Sequence, residues 1–323
     1  MSEFRTTFQI PPAPFKMDHS TPVLLAGSCF TTHIGAQLSR LKFPTCVNPF
    51  GVIYNPVSLA QSVWPAATYA PADFFEHEGI WRHWDMHSDL ARPTLDDAVA
   101  QAQATADATR RFLENTDVLL LTFGTADVFY WLENERIVAN CHKKPAALFG
   151  QKRLPVETIT DVLCQLVLRL RQQRPTLKVV LTVSPVRHWR SGAVENQRSK
   201  ATLLLACEAL CRELPDTVYF PAYELLMDDL RDYRFYTNDM LHPSETAIQY
   251  IWSRFSDTFM SPETLELNRR IEKIVTAAAH RPFNPDTPQH KTFQARQLEA
   301  IAALEKERPG MDWSAERRLL GED

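Results

Sequence analysis

Short apolar runs alternate with longer helical segments along most of this chain of 323 residues. Each run is aliphatic or β-branched and is bounded by Pro, Gly or Ser, which is typical of buried strands. The intervening segments are long enough for crossover helices, so the pattern predicts a doubly wound α/β fold around a parallel sheet. The predicted strands are 22–26, 43–48, 117–123, 178–184 and 217–222, and the predicted helices between and after them are 31–41, 94–115, 156–174, 194–213 and 244–260.

Two stretches interrupt the alternation, and both are predicted to be β-hairpins. Residues 73–91 contain the turn-like sequence Glu-His-Glu-Gly at 76–79, and residues 128–149 contain Glu-Asn-Glu-Arg at 133–136. They follow the second and third predicted strands. From there they can cover the carboxyl edge of the sheet as a cap.

The character of the chain changes near residue 261. Beyond it, three charged helices rich in Ala and Glu are predicted at 263–280, 293–308 and 312–320, with a Pro-containing linker at 281–288. The predicted organisation is an α/β domain of residues 1–261 and a helical C-terminal extension of residues 262–323. A tail of this length is expected to dock either on the α/β core or on a second copy of the chain, as a homodimer.

The charge balance limits the expected partners. A formal net charge of −4 and a pI near 6.2 give no electrostatic reason to expect nucleic acid or a membrane surface. Small neutral substrates therefore fit best. The N-terminus lacks a basic region followed by an apolar run, and no apolar run approaches the ~20 residues needed to span a bilayer. The expected location is cytoplasmic.

The six cysteines show no CxxC pair and are too sparse for a disulfide scaffold, so reduced thiols are expected. Cys207 and Cys211 lie four positions apart on a predicted helix. That spacing imitates a ligand pair, but core packing is the favoured interpretation because a free cysteine behaves as a small apolar residue.

A possible metal site lies in the first hairpin. His83, Asp85 and His87 alternate there, so on a strand all three would point to one face. That arrangement can bind a metal. The neighbouring Trp81 and Trp84 equally suit a packed cap, and we expect neither a metal nor another cofactor.

Ser28 is the candidate nucleophile. It follows the apolar run 23–25 and so lies at the carboxyl end of the first predicted strand. Far downstream, Asp239 and His242 are three positions apart ahead of a predicted helix. A serine hydroxyl needs an adjacent base and a third group that orients the base. We therefore interpret His242 as the base and Asp239 as its orienting partner.

Polar clusters follow each of the five predicted strands, and ligands of open α/β sheets bind at that edge. The N–H groups of Ser28 and Gly51 are candidate oxyanion donors. Further candidate donors and substrate-binding residues are Asn48, Gly124, Thr125, Asn140, His142, Arg187 and His188.

Several of these candidates have equally good structural explanations. Turn chemistry accounts for Asn48 and Gly51 as well as an oxyanion site does. Arg187 is as well explained by an ion pair with Glu195 or Asp239. The sequence Asn-Cys-His at 140–142 also suggests a cysteine hydrolase, although a substrate contact suits its histidine better.

Five ordered motifs together resemble one family. They are Gly-Ser-Cys-Phe at 27–30, Asn-Pro-Phe-Gly-Val-Ile-Tyr-Asn-Pro at 48–56, Val-Ala-Asn-Cys-His-Lys at 138–143, Thr-Val-Ser-Pro-Val-Arg-His at 182–188 with Gly-Ala-Val-Glu-Asn at 192–196, and Asp-Tyr-Arg-Phe-Tyr at 232–236 before Asp239 and His242. On these motifs the chain resembles the GSCFA-domain proteins, a branch of the SGNH (GDSL-like) hydrolase superfamily. The resemblance covers roughly 22–260 and leaves the C-terminal helices outside.

The resemblance implies a flavodoxin-like three-layer α/β/α sandwich with a five-stranded parallel sheet. It also implies Ser28, Asp239 and His242 as a catalytic triad. It implies no particular substrate, although related SGNH enzymes cleave or transfer acyl groups, often O-acetyl groups on carbohydrates.

One position departs from the superfamily. Many SGNH enzymes place an asparagine, as an oxyanion donor, two positions after the glycine that follows the third strand, where this chain has Ala126. Thr125 or Asn140 would have to replace that donor.

Three functions follow from the motifs. The first is a metal-independent serine esterase or deacylase acting on an O-acyl ester, such as an O-acetyl ester, of a small molecule or saccharide. The second is an acyltransferase that uses the same triad, because both reactions pass through an acyl-enzyme. The third is a non-catalytic ligand-binding module that retains the fold.

Overall fold

The central feature of the fold is a parallel sheet, seen in a computed structural model that describes residues 6–64, 68–284 and 286–322. Five strands form it in the order β2-β1-β5-β9-β10, which confirms the predicted doubly wound α/β class. In chain order, the strands of the described residues are Val23–Gly27 (β1), Thr45–Val47 (β2), Phe74–His77 (β3), Ile80–His83 (β4), Val118–Phe123 (β5), Asp127–Trp131 (β6), Ile137–Val138 (β7), Phe149–Arg153 (β8), Lys178–Val183 (β9) and Thr217–Tyr219 (β10).

Helices connect these strands and form the C-terminal region. Their bounds are Cys29–Arg40 (α1), Pro56–Ser62 (α2), Leu95–Leu113 (α3), Val156–Gln173 (α4), Gly192–Glu213 (α5), Ala222–Glu224 (α6), Glu245–Phe259 (α7), Pro262–Ala278 (α8), Pro288–Glu307 (α9) and Ser314–Leu319 (α10). None of them, over the described ranges, is long and apolar enough to cross a bilayer.

Two helices depart most from the prediction, and both begin with a proline that follows a side-chain cap. α2 was not predicted because seven residues are too short to show a helical period; Asn55 caps it by accepting from the Ser58 N–H at 2.8 Å. α9 begins at Pro288 instead of residue 293, with Thr287 as its cap. Proline suits the first helical position because its missing N–H would have no partner there.

The sheet has a hydrophobic cluster on each face. Along β1, Leu24 belongs to one cluster, whereas Val23 and Leu25 belong to the other. This is the alternation expected of a strand buried on both sides. Helices α2 to α5 cover the first face, and α1 and α7 cover the second. The result is the three-layer α/β/α sandwich.

The C-terminal helices extend the second cluster. Ile271, Ile301 and Trp313 are almost completely buried in the same cluster as Val23 and Leu25. An ion pair at 2.6 Å between Lys42 and Glu316 also joins the two parts. The extension therefore docks on the α/β core of its own chain, one of the two arrangements expected. The domain boundary near residue 261 stays a prediction.

Both predicted hairpins are present. β3 pairs with β4, and β6 pairs with β7. A further strand, β8, pairs with the other side of β6 and makes a three-stranded antiparallel sheet, which we call the cap sheet. Side chains of the cap sheet line a cleft together with residues that follow β5 and β9. The cap sheet therefore covers part of the carboxyl edge of the main sheet.

Candidate functional site

Ser28 occupies the junction between β1 and α1. Its N–H donates to the Thr122 carbonyl at 3.1 Å, and its own carbonyl accepts from Thr31 at 2.9 Å. The residue is fully buried, and its Oγ has no hydrogen-bond partner in the described structure. A buried hydroxyl without a partner is unfavourable, so its retention at the start of a helix is consistent with a functional role.

The turn that presents Ser28 requires a glycine before it. Gly27 has φ +147°, and a Cβ added there would lie 2.2 Å from the Thr122 carbonyl oxygen. Asn48 fixes the same turn from the next loop: its Oδ1 accepts from the Gly27 N–H at 2.8 Å, and its Nδ2 donates to Thr32 Oγ1 at 3.1 Å. Asn48 therefore holds the turn that presents Ser28 in place.

Asp239 and His242, predicted as orienting partner and base, are in contact in the structure. His242 Nδ1 lies 2.6 Å from Asp239 Oδ2. Asp239 Oδ1 accepts from the N–H groups of His242 and Leu241 and from the Thr237 hydroxyl, at 2.8 to 3.0 Å. These hydrogen bonds, those of the two backbone N–H groups first, hold the pKa of Asp239 well below its usual range. Asp239 is therefore ionised at neutral pH and can orient His242.

His242 and Ser28 lie at the same edge of the sheet. Arg187, in the loop after β9, donates from its N–H to the Leu241 carbonyl at 3.4 Å, which ties the His242 loop to the carboxyl edge. His242 also lines a cleft with His33 of α1. His33 is only ~7–8 Å along the helix axis from Ser28, at 1.5 Å per residue. The hydrogen bond between Ser28 Oγ and His242 is not formed in this structure.

The N–H groups of Ser28 and Gly51, predicted as oxyanion donors, and those of other candidate residues nearby already donate to protein carbonyls. Gly51 donates to Asn48 at 2.8 Å, and both Gly124 and Thr125 donate to Tyr54, at 2.8 and 3.1 Å. The Thr125 hydroxyl lies 3.0 Å from that of Ser199. Their role as oxyanion donors stays a prediction that requires these N–H groups to be released.

Position 126 points into the core. Ala126 is completely buried, and its N–H donates to Ser199 Oγ at 2.8 Å. An asparagine side chain at this position would have to be accommodated inside the hydrophobic cluster to which Ala126 belongs. Alanine at this position therefore agrees with the packing.

The cap sheet and the strand ends enclose a cleft of about 500 Å³, which we call the cap cleft. Its lining includes Tyr54, Thr125, Asn140, His142 and His188. Four of these five are site residues predicted from the sequence. Tyr54 was not singled out as a site residue, although it lies within one of the motifs.

His142 is held on three sides. Its ring nitrogens lie 2.8 Å from the His83 carbonyl and 3.1 Å from Ser88 Oγ, and its N–H donates to Asn140 Oδ1 at 2.8 Å. Burial lowers its pKa to about 4, so the ring is neutral at pH 7. With this geometry Asn140 and His142 form the wall of the cap cleft.

Arg187 and His188 diverge after β9. The Arg187 guanidinium lies 4.2 Å from the ring centre of Trp189, while Glu195 pairs with Arg153 and Arg198. The proposed pairing of Arg187 with Glu195 or Asp239 is therefore absent from the described ion pairs. His188 packs edge-on against Tyr54 in the cap cleft, and burial lowers its pKa to about 4.

Lys200 is a buried residue of the site that the sequence did not reveal. It is completely buried on α5, and its Nζ donates to the carbonyls of Gly124 and Ser184, at 2.8 and 2.7 Å. It thus joins the loops after β5 and β9. Burial lowers its pKa to about 7. Its neighbours Ser199 and Leu203 lie on the same buried helix face, and a lysine among them was the available signal.

The predicted shared face of His83, Asp85 and His87 is wrong, because β4 ends at His83. Asp85 pairs with Arg136 at 2.6 Å, and His87 begins a short turn of 3₁₀ helix. No group of three His, Cys, Asp or Glu side chains in the described part of the chain is arranged to hold a metal ion.

The cysteines are free thiols, as expected. Cys207 is buried in the hydrophobic core, and Cys211, on the same helix, packs against that core. This confirms the packing interpretation of their spacing.

Two family models match this chain, one over most of the α/β region and one over most of the C-terminal helices. Residues 22–255 match the GSCFA family. The chain belongs to the GSCFA family. Residues 271–322 match the C-terminal domain of GSCFA domain proteins, so the expectation that the C-terminal helices lie outside the family resemblance is wrong over this range. No curated protein matches the chain.

Several solved structures are similar to this chain at low sequence identity. A carbohydrate esterase family 2 enzyme from Corynascus thermopiles is 14% identical over 76% of this chain and 67% of its own, with a TM-score of 0.40. A carbohydrate esterase family 3 protein from Talaromyces cellulolyticus is 10% identical over 77% and 98%, with a TM-score of 0.32. A protein described as a GDSL-like lipase from Parabacteroides merdae is 14% identical over 77% and 98%, with a TM-score of 0.38.

Proposed function

We propose that this protein is a serine esterase or deacylase that cleaves an O-acyl ester, such as an O-acetyl ester, of a small molecule or saccharide. The observation that carries the proposal is the 2.6 Å contact between Asp239 and His242 Nδ1, because it directs the opposite ring nitrogen, Nε2, away from the carboxylate. Ser28 supplies an unpartnered hydroxyl at the same sheet edge.

In the proposed reaction, Ser28 Oγ attacks the ester carbonyl while its proton passes to His242 Nε2. The imidazolium is stabilised by Asp239, and it then protonates the departing alcohol. Water, activated by the same imidazole, cleaves the acyl-enzyme and releases the acid. An acyltransferase would differ only in the hydroxyl that replaces water in this last step.

The reaction has two structural requirements. The Ser28 hydroxyl must become accessible and pair with His242. At least one N–H near the strand ends must also turn toward the developing oxyanion, because loss of one such donor typically costs about 3–4 kcal/mol of transition-state stabilisation.

The test is covalent labelling with a fluorophosphonate combined with hydrolysis of p-nitrophenyl acetate. We expect one adduct on Ser28 and loss of both signals in Ser28→Ala. The matched control is Ser261→Ala, which removes the serine cap of α8 beside Pro44 and Thr45, at the amino edge of the sheet. An unlabelled wild-type protein, or full activity in Ser28→Ala, would refute the proposal.

The burial of Ser28 favours a second candidate, a ligand-binding module without turnover. In a site without catalysis, the Ser28 hydroxyl can stay fully buried, and the candidate oxyanion N–H groups can stay bonded to protein carbonyls. Intact-mass spectrometry separates the two functions. An acyl adduct on Ser28 would exclude the binding module, and ligand binding without any adduct would support it.

A further inference from the structure

The cap cleft carries positive charge, in contrast to the net charge of −4 of the whole chain. Its lining contains the cations Lys143, Lys144 and Arg190 and a single acidic residue, Asp127. That carboxylate is held by Arg153 at 2.8 Å. Over the described residues, no ion pair involves any of the three lining cations.

The cations are held in position by their surroundings. Arg190 lies 5.1 Å from the ring centre of Phe129, and Lys144 lies 5.0 Å from that of Phe75. An aromatic face attracts a cation and limits the directions in which its side chain extends. The positive charges therefore remain oriented at the cleft without a neutralising partner.

Lys143 is presented by a fixed loop. His142 and Lys143 both adopt left-handed backbone conformations, with φ of 50° and 60°. The contacts of the His142 ring with His83 and Ser88 hold this loop against the end of the first hairpin and the turn that follows it. Non-glycine residues adopt such conformations at a cost, so the surrounding contacts must support them.

We propose that the cap cleft binds an anionic group, a phosphate or a carboxylate, on the acylated substrate, and that Lys143 and Arg190 select for it. The inference rests on the proposed function for its link to ester cleavage. It revises the expectation of a neutral substrate, because net charge averages over the whole surface whereas a cleft concentrates the field of its own lining. Asn140 and the aromatic walls offer a hydrogen-bonding and stacking surface for the remainder of such a molecule.

The first experiment compares esters that differ in charge. We would measure kcat/KM for O-acetylated glucose 6-phosphate, O-acetylated glucuronate and O-acetylated methyl glucoside. The wild-type enzyme should prefer at least one charged ester by about tenfold or more, and which one it prefers distinguishes phosphate from carboxylate. In Lys143→Asn/Arg190→Gln, the ratio of charged to neutral kcat/KM should fall by about tenfold. Asparagine is chosen at 143 because it tolerates left-handed backbone.

The matched control is Lys152→Gln. Lys152 also lies over an aromatic ring of the cap sheet, 5.2 Å from the centre of Tyr130, but it does not line the cleft. It should keep the wild-type ratio. Equal rates for charged and neutral esters in the wild type, or the same ratio in the double variant, would overturn the inference.

A second experiment separates this inference from the proposed function. Calorimetric titration of Ser28→Ala with glucose 6-phosphate, glucuronate and glucose measures binding without turnover. Anion binding that is lost in the cleft variant and weakened by salt would support the inference even if no ester is cleaved. Ester cleavage without anion preference or anion binding would retain the proposed function and reject this inference.

Discussion

The two halves of the candidate triad differ in how they are surrounded. Asp239 and His242 are about half exposed, and hydrogen bonds from neighbouring residues satisfy the carboxylate. Ser28, by contrast, is fully buried, and its hydroxyl has no hydrogen-bond partner in the described structure. Lys200, also buried, holds the loops beside it. The exposed half is thus organised by its own short segment, and the buried half by distant parts of the chain.

This contrast shows where a substitution should affect chemistry alone and where it should also affect folding. A change in the exposed pair removes hydrogen bonds that water can partly replace. A change in the buried half alters the desolvation cost of buried polar groups, and water cannot reach them to replace a lost hydrogen bond.

The largest effect is expected from Asp239→Asn. Two backbone N–H groups point at Oδ1, so the amide oxygen of asparagine takes that position and its NH₂ faces His242 Nδ1. The imidazole is then driven to the tautomer with its proton on Nε2, which cannot accept a proton from Ser28. We expect kcat to fall by about 10⁴-fold.

The control for this change is Asp232→Asn, an exposed aspartate on the same loop that pairs with Arg234. It should retain wild-type kinetics and a wild-type melting temperature. Comparable losses in both variants would mean that the loop fold is responsible rather than the tautomer.

The next largest expected effect is the contribution of Lys200 to the pH dependence of the free energy of unfolding. In the folded protein its pKa is lowered to about 7, whereas the unfolded chain titrates near 10.5. Between these values the unfolded state binds the extra proton, so this residue makes stability rise with pH. The unfolding free energies of the wild type and of Lys200→Met would be measured by chemical denaturation from pH 6.5 to 10. Over this range the wild-type value minus the variant value should rise by on the order of 4 kcal/mol.

Lys291→Met removes an exposed lysine of α9 and controls for the loss of a charge. Its stability curve should run parallel to that of the wild type. A Lys200→Met curve that is also parallel would show that Lys200 titrates normally in the folded protein.

The smallest expected effect is that Ser28→Ala stabilises the fold. Removing a buried hydroxyl that has no partner should raise the free energy of unfolding by about 1–2 kcal/mol. The paired control is Ser58→Ala, because the buried Ser58 hydroxyl accepts from Asn55 at 3.0 Å and its loss should destabilise. A destabilised Ser28→Ala would reveal a hydrogen bond of Ser28 in solution.

Much of the fold could be predicted from local patterns. The five sheet strands are continuous apolar runs because both faces of the sheet are covered, and the parallel order follows from the crossover helices between them. The errors arose where the pattern is short. α2 has too few residues to show a period, and the alternation of His83, Asp85 and His87 continued past the real end of β4.

The site could be predicted only in part. Asp239 and His242 are close in sequence, and their contact follows from a tight loop. The turn at Gly27 and Ser28 is held by Asn48 and Thr122, which are distant from it in the sequence, so these contacts had no local signal. The occupied N–H groups of Gly124 and Thr125 likewise depend on Tyr54, about seventy residues earlier in the chain.

By itself, the sequence determined the α/β class, the two hairpins and family membership, because periodicity and turn residues act over a few positions. Only the tertiary structure decided that the C-terminal helices complete the second hydrophobic cluster, that Lys200 is buried between two loops, and that the cap cleft is positive in a negatively charged chain. These properties depend on which distant side chains share a low-dielectric space. Burial and charge in such a space are set by packing and not by neighbours along the chain.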